Sequence, residues 1–345
     1  MNIKKKIIGH LNKCYSMAPL RWNNKDYILV AAEKQDACYL YDLEGNKIDT
    51  IWEGPGGVMT MQQIPGTNGE FLATQKFYSP NDSAEAYLAL VQPTEKGWSV
   101  KKKVDIPFVH RFGILERNDV NYLIACALKS DHQYKNDWTS PGVVYGTVLP
   151  EDLENKTIEL KPLMSGLLKN HGYSLSDGKA VIGTENGTFL FTPPAEKDGE
   201  WEIEKLLDIP SSDSVLIDLD GDGKLELGVI SPFHGNSITI FHLDEHGRYV
   251  PQWKYEKPES ETEMVHGTWA GKLGDKNVWA AGWRKGTRST ILIFWNKETG
   301  TYDTVNIDTN AGAANLLHYK DPHGHDVLMA TNREIDEIAT YTITQ

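Results

Sequence analysis

The sequence is short of cysteine, of long apolar runs and of positive charge, and each shortage removes a class of protein. Its 345 residues include three cysteines, Cys14, Cys38 and Cys126. They stand in apolar, strand-like surroundings without Cys-x-x-Cys spacing. That pattern excludes a disulfide framework and a cysteine zinc clip, and predicts buried thiols in a reducing compartment. No stretch approaches the roughly 18 apolar residues of a membrane-spanning helix. The N-terminal segment MNIKKKIIGHLNK is positively charged but lacks the apolar centre of a secretory signal, so a cytoplasmic location without a membrane partner is expected. Lys and Arg number 35 against 48 Asp and Glu, a formal net charge of -13, which argues against nucleic acid as a partner because that contact depends on clustered cations. Also missing is any apolar stripe at helical spacing longer than about two turns.

What the chain does contain is a series of short apolar runs, rich in β-branched and aromatic residues, between clusters of Gly, Asn, Asp and Pro. The pattern predicts an all-β protein. One run recurs seven times: YILVAA (27 to 32), FLATQ (71 to 75), YLIACAL (122 to 128), AVIGT (180 to 184), LGVIS (227 to 231), VWAAGW (278 to 283) and VLMATN (327 to 332). Twelve residues before these runs stand Tyr15, Met59, His110, Val215, His266 and Asn315, with His171 at the matching place where the turn is shorter. The repeat averages about 49 residues, which fits a four-stranded propeller blade. Third strands are expected at CYLYD, VVYGTVL, TFLFT, ITIFHL, TILIFW and IATYTI, and outer strands at WSVKKKVDI, WEIEKLLDI and YDTVNID. The last unit ends after its third strand while NIKKKII (2 to 8) is an unassigned strand. A single seven-bladed β-propeller over residues 1–345, closed by that N-terminal strand, is therefore predicted, and closure removes an exposed sheet edge.

The repeat places histidine at one position in three blades. First strands line the central channel of a propeller, so His110, His171 and His266 are expected to converge there and to ligate a divalent metal, Zn or Mn, with an open fourth position. A metal-free acid–base cluster is the competing reading. His234, in SPFHGN, falls in another register and is expected as a fourth ligand or as the proton-transfer group.

Where the second strands end, the channel mouth should carry Lys34, Lys76, Lys129, Arg284, Lys285 and Arg333, a cationic crown suited to an anionic or strongly polar ligand. Arg284 and Arg333 suit bidentate contact with a carboxylate or a vicinal oxygen pair. The insertion SDHQYKNDWTSPG (130 to 142) offers Tyr134 and Trp138 as a lid or sugar-stacking wall, or is a surface loop. Separately, DLDGDGKLE (218 to 226) has the oxygen-ligand spacing of a calcium loop: Asp218, Asp220, Asp222, the Lys224 carbonyl and Glu226. A structural Ca2+ at the rim of blade five is expected, and the same residues also serve as turn formers.

DLDGDGKLELGVIS resembles the Asp-rich repeats of FG-GAP or VCBS propellers, a likeness that speaks to fold. A narrower resemblance is to the propeller domain of aldos-2-ulose dehydratase (1,5-anhydro-D-fructose dehydratase), carried by the pair His110 and Arg111, the first-strand histidines, and Phe233 to Asn236 before a strand. That family places a metal at the bottom of a propeller cleft and eliminates water from a keto sugar. The resemblance implies His110, His171, His234 and His266 as site residues. The chain has no room for the family's cupin domains, so their later isomerisation is not implied.

The expected function is thus a metal-dependent carbohydrate lyase acting by β-elimination on a keto sugar or uronate, small or oligosaccharide. His234 and Tyr173 are expected as base and acid, Arg284 or Lys129 as the group holding the enolate, and Arg111, Lys76, Trp138, Lys285 and Arg333 as substrate contacts. A hydrolase or isomerase using the same cluster, and a non-enzymatic propeller that binds a ligand or partner through its top face, remain alternatives.

Overall fold

A computed structural model describes residues 2–134, 136–257 and 263–344. Seven four-stranded antiparallel sheets follow one another along the chain. Their innermost strands are Cys14–Trp22, Met61–Gln63, Val109–Arg117, Gly172–Ser176, Ser214–Ile217, Met264–Leu273 and Asn315–Lys320. Neighbouring inner strands touch around the ring, and that of blade seven touches that of blade one, so the propeller is closed.

Burial explains the pattern of the strands. Second strands such as Phe71–Gln75 and Asp326–Asn332 are buried at every residue, because each is covered on both faces by adjoining blades. The outer strand Glu202–Leu207 has only a neighbour on one side and is mostly exposed. Between blades, Leu72, Leu88, Leu90, Phe112 and Leu123 form part of one continuous apolar layer. All three cysteines are buried free thiols, and burial pushes the Cys14 and Cys126 thiols up to about 12.

The expected closure is present. Asn2–His10 pairs antiparallel with Glu337–Thr344 as the outer strand of blade seven. Lys5 fastens it, with Nζ 2.7 Å from both Asp308 and Glu337. The Asp-rich loop joins Ile217 to Glu226, at the end of the blade-five hairpin away from the channel residues at 213 and 231. No α-helix occurs among the described residues, and no helix is long and apolar enough to cross a membrane.

Candidate functional site

Backbone irregularity builds this site. The first strands of blades one, three and six each carry a register shift over one residue, between Cys14 and Ser16, Val109 and Arg111, and Val265 and Gly267. The residues at these bulges are Tyr15, His110 and His266. A bulge re-aims one side chain without unpairing the strand, and here it turns each ring into the channel. His171 instead stands one residue before its strand, Gly172–Ser176. Gly172 and Gly267 follow two of the histidines, and a Cβ there would come within 2.3 Å of Ser212 O and 2.4 Å of Ala313 O. Their lack of a side chain lets the next blade approach closely enough to bond the imidazole.

Those bonds fix the tautomers. Nδ1 of His110 donates to His171 O at 3.1 Å, and Nδ1 of His266 to Ala314 O at 2.8 Å. Nδ1 of His171 lies 3.0 Å from Asp213 Oδ2. A carbonyl or carboxylate can only accept, so all three rings donate from Nδ1, which leaves Nε2 as the nitrogen a metal would take. Burial holds His110, His234 and His266 well below the usual imidazole range, reinforced by His171 and by Arg111 or Arg284. Burial alone would raise Asp213, but His171, Arg111 and Ser212 outweigh it and hold the carboxyl below its usual value.

Ligand nitrogens of His171, His234 and His266 all lie within 4.8 Å of one another. Nε2 of His234 and Nε2 of His171 are 3.0 Å apart. Two imidazoles on one tetrahedral ion, at about 2.1 Å each, would have their nitrogens about 3.4 Å apart, so this pair stands close to the spacing of two ligands of one metal. The donor set, imidazole nitrogens backed by a carboxylate and a carbonyl, suits zinc or a similar divalent ion. His234 rather than His110 completes this group. His110 packs its ring 4.3 Å from that of His171 and leaves Nε2 without a partner among the described residues.

Above the histidines lies a cavity of about 280 Å³. Tyr15, His110, His171, His234 and His266 form its floor, and Phe77, Trp138 and Phe233 its apolar wall. Glu33, Lys34, Arg284, Lys285 and Arg333 reach it from the ends of second strands, so both sets of residues open on the same end of the ring.

Several expected site residues lie elsewhere. Tyr173 packs between blades three and four with its hydroxyl against Gly113, because it points along the strand face that meets the neighbouring blade. Lys129 is buried; its ammonium donates to Asn81 Oδ1 and to the Asp137 carbonyl and faces the loop, not the cavity. Lys76 pairs with Glu85 at 2.9 Å on the outside. Arg111 sits beside the floor and donates to Met59 O at 2.6 Å, Asn315 Oδ1 at 3.2 Å and the Tyr15 hydroxyl at 3.4 Å, joining three inner strands.

The crown is not a row of free cations. Arg284 places Nε and Nη2 at 2.9 and 2.7 Å from Glu334 Oε1, Arg333 donates to the same oxygen at 3.0 Å, and Arg333 also pairs with Glu33. Asp213, Glu33 and Glu334 are residues around the site that the residue pattern alone did not single out, while Tyr15, at the repeat position of His110 and His266, places its hydroxyl 3.1 Å from His266 Nε2. Asp213 had a signal: like His171 it stands one residue before its inner strand. Counting back 12 residues passes over it because the Asp-rich loop lengthens that hairpin.

The four acidic side chains of the other loop fall into place around Asp218. Asp218, Asp220, Asp222 and Glu226 bring carboxylate oxygens within 4.8 Å of one another, and Lys224 follows in the same turn.

No family model and no curated protein matches this chain. Solved structures do. A streptogramin B lyase is 14% identical over 99% of this chain and 98% of its own, with a TM-score of 0.58. Virginiamycin B lyase from Staphylococcus aureus is 13% identical over 99% of each chain, with a TM-score of 0.60. The Cps50 (Swd1) β-propeller domain of Myceliophteria thermophila is 13% identical over 99% of this chain and 100% of its own, with a TM-score of 0.58. At such identities the likeness is one of fold.

Proposed function

We propose that this propeller is a metal-dependent carbon–oxygen lyase that performs β-elimination on a hydroxyl-rich keto sugar. The observation that carries the reading is the set of ligand nitrogens of His171, His234 and His266, gathered in one cavity. His171 and His266 have their tautomers fixed from behind by Asp213 and Ala314. Two of the propellers similar in fold are lyases, which agrees with the reaction class.

A divalent ion held by the three histidines would supply Lewis acidity, polarising a substrate carbonyl and acidifying the adjacent C–H bond. His110 is the fitting base: buried, uncharged, and with Nε2 free among the described residues to take that proton. The electron pair of the broken C–H bond becomes the new C=C bond as the C–O bond one carbon further on breaks. The departing oxygen takes a proton from the Tyr15 hydroxyl, which lines the floor where Tyr173 does not, and leaves as water. Arg284 faces the cavity and offers positive charge to the developing enolate.

Paired Arg284 and Arg333 favour a keto sugar over a uronate, since each guanidinium meets a protein carboxylate before any from substrate. Alternating guanidinium and carboxylate groups suit hydroxyls, which both donate and accept. Trp138 and Phe233 offer a surface for the apolar face of a ring.

Elemental analysis of the tag-free protein beside His171→Ala and His266→Ala variants tests the site. One transition-metal equivalent, lost in both variants, is expected, together with ultraviolet absorbance from an unsaturated product when keto sugars are supplied. Metal content unchanged by both substitutions would refute the reading and leave a ligand-binding propeller.

A further inference from the structure

Of the three histidines in the candidate metal group, two are locked and one is not. His171 and His266 have Nδ1 bonded to Asp213 and Ala314. Among the described residues nothing holds Nδ1 of His234, whose one hydrogen-bond partner is His171. Its backbone leaves the second strand of blade five on the segment 232–236 with φ +52°, a region that non-glycine residues visit at a cost, and bonds at Gly235 and Asn236 hold that segment without reaching the imidazole.

What does hold the ring is a stack of aromatic groups. Phe233 lies face to face with His234, ring centres 3.9 Å apart and planes 24° from parallel. Trp138, from the insertion between the second and third strands of blade three, meets Phe233 edge-on at 5.0 Å. The Lys129 ammonium stands 5.0 Å from the Trp138 ring and binds the carbonyl of Asp137 beside it. Asp137 is itself buried, its carboxylate accepting from Gln133 N at 3.0 Å and from Thr139 N at 2.9 Å and Oγ1 at 2.7 Å, so the part of the loop that carries Trp138 is well braced.

We infer that Trp138, acting through Phe233, is the positioning residue for His234, and that the braced loop sets how tightly the site holds its metal and how fast it exchanges it. The inference rests on the metal reading above. In most histidine sites a hydrogen bond behind the ring orients the ligand, and losing it costs 10–100-fold in affinity. Here Phe233, itself braced by Trp138 from another blade, takes that role for one ligand of three. The buried Lys129 then has a purpose that its absence from the cavity otherwise leaves unexplained: it anchors the loop that aims the ligand.

The test is metal binding, with Zn2+ alone competed against a chromophoric chelator and its release rate measured. Calcium is kept saturating so that the acidic loop does not contribute. Trp138→Ala and Phe233→Leu are expected to weaken Zn2+ binding about 10–100-fold, mainly through faster release. Trp138→Phe, which keeps an aromatic edge, is expected to restore affinity to within a few-fold. Tyr134→Ala, on the same loop but 60% exposed, is expected to bind as wild type does. Wild-type affinity in both Trp138→Ala and Phe233→Leu, with normal circular dichroism, overturns the inference while leaving the metal site standing. Failure of the wild-type protein to bind Zn2+ in a manner sensitive to His266→Ala removes the site and the inference together.

Discussion

The Asp213 carboxylate lies 3.0 Å from Nδ1 of His171, both side chains buried, and it comes from blade five while the histidine belongs to blade four. An ionised acceptor there keeps the proton on Nδ1 and makes Nε2 a stronger donor to a metal. Asp213→Asn keeps the shape but can present an N–H toward Nδ1, reversing the preferred tautomer. A loss of about 10–100-fold in Zn2+ affinity is expected, with little change in fold by circular dichroism. Equal affinity in chelator competition would show that His171 does not need this partner.

Much of the fold could be read from the chain because a propeller repeats its burial pattern. CYLYD coincides with the strand Cys38–Asp42 and FLATQ with Phe71–Gln75, both flanked by turn residues and buried between blades. The site was legible only where local sequence reports three-dimensional register. His110 and His266 keep constant distance from their second strands because both sit on bulges of similar hairpins. Asp213 was hidden by a longer hairpin. Tyr173 stands two residues after His171, but strand alternation says nothing of their relative facing because His171 lies outside the strand. The pairing of Arg284 with Glu334 spans 50 residues and that of Arg333 with Glu33 spans 300, so only the contact of Arg333 with its neighbour Glu334 is local.

Arg111 supports the floor from beside it. Its guanidinium serves the Met59 carbonyl, Asn315 and the Tyr15 hydroxyl, acceptors on the inner edges of blades two, seven and one. Arg111→Ala leaves these groups without their donor, and a loss of about 1–3 kcal/mol is expected. Urea denaturation with an unchanged m-value would register it. A midpoint within error of wild type would mean that water replaces the guanidinium at no cost.

Calcium should act on the Asp-rich loop independently of the histidines. Four carboxylates gathered at Asp218, Asp220, Asp222 and Glu226 repel one another unless a cation lies among them. Ca2+ at a hundred times its dissociation constant would stabilise the folded chain by about 2.7 kcal/mol. Thermal unfolding with Ca2+ and with a chelator should therefore differ in wild type and nearly coincide in Asp220→Ala, which removes a ligand oxygen. A similar calcium response in that variant would place the effect elsewhere.

The strand that closes the ring should make the protein acid-sensitive through Asp308. Its carboxylate lies 2.7 Å from both the Lys5 ammonium and the Tyr341 hydroxyl. Burial alone would raise its pKa, but the bonds from Lys5, Asn310 and Tyr341 outweigh burial and hold it below the usual value. A carboxyl whose folded pKa lies below its unfolded one binds its proton more readily when unfolded. Its stabilisation is therefore complete above the unfolded value of about 3.9 and is lost as pH falls through the folded one. Lys5 behaves in the opposite sense: Asp308 and Glu337 outweigh its desolvation and raise its pKa, so its share is lost only when alkaline pH passes the folded value. Lys5 is one-third exposed, which screens the pair. Asp308→Asn is accordingly expected to lower stability near neutral pH by about 1–3 kcal/mol. It should also flatten the acid limb of the stability profile, with wild type and variant converging only as pH falls through the folded pKa of Asp308. Profiles that stay parallel throughout the acid limb would show that another carboxylate controls acid unfolding and that Lys5 closes the ring by packing alone.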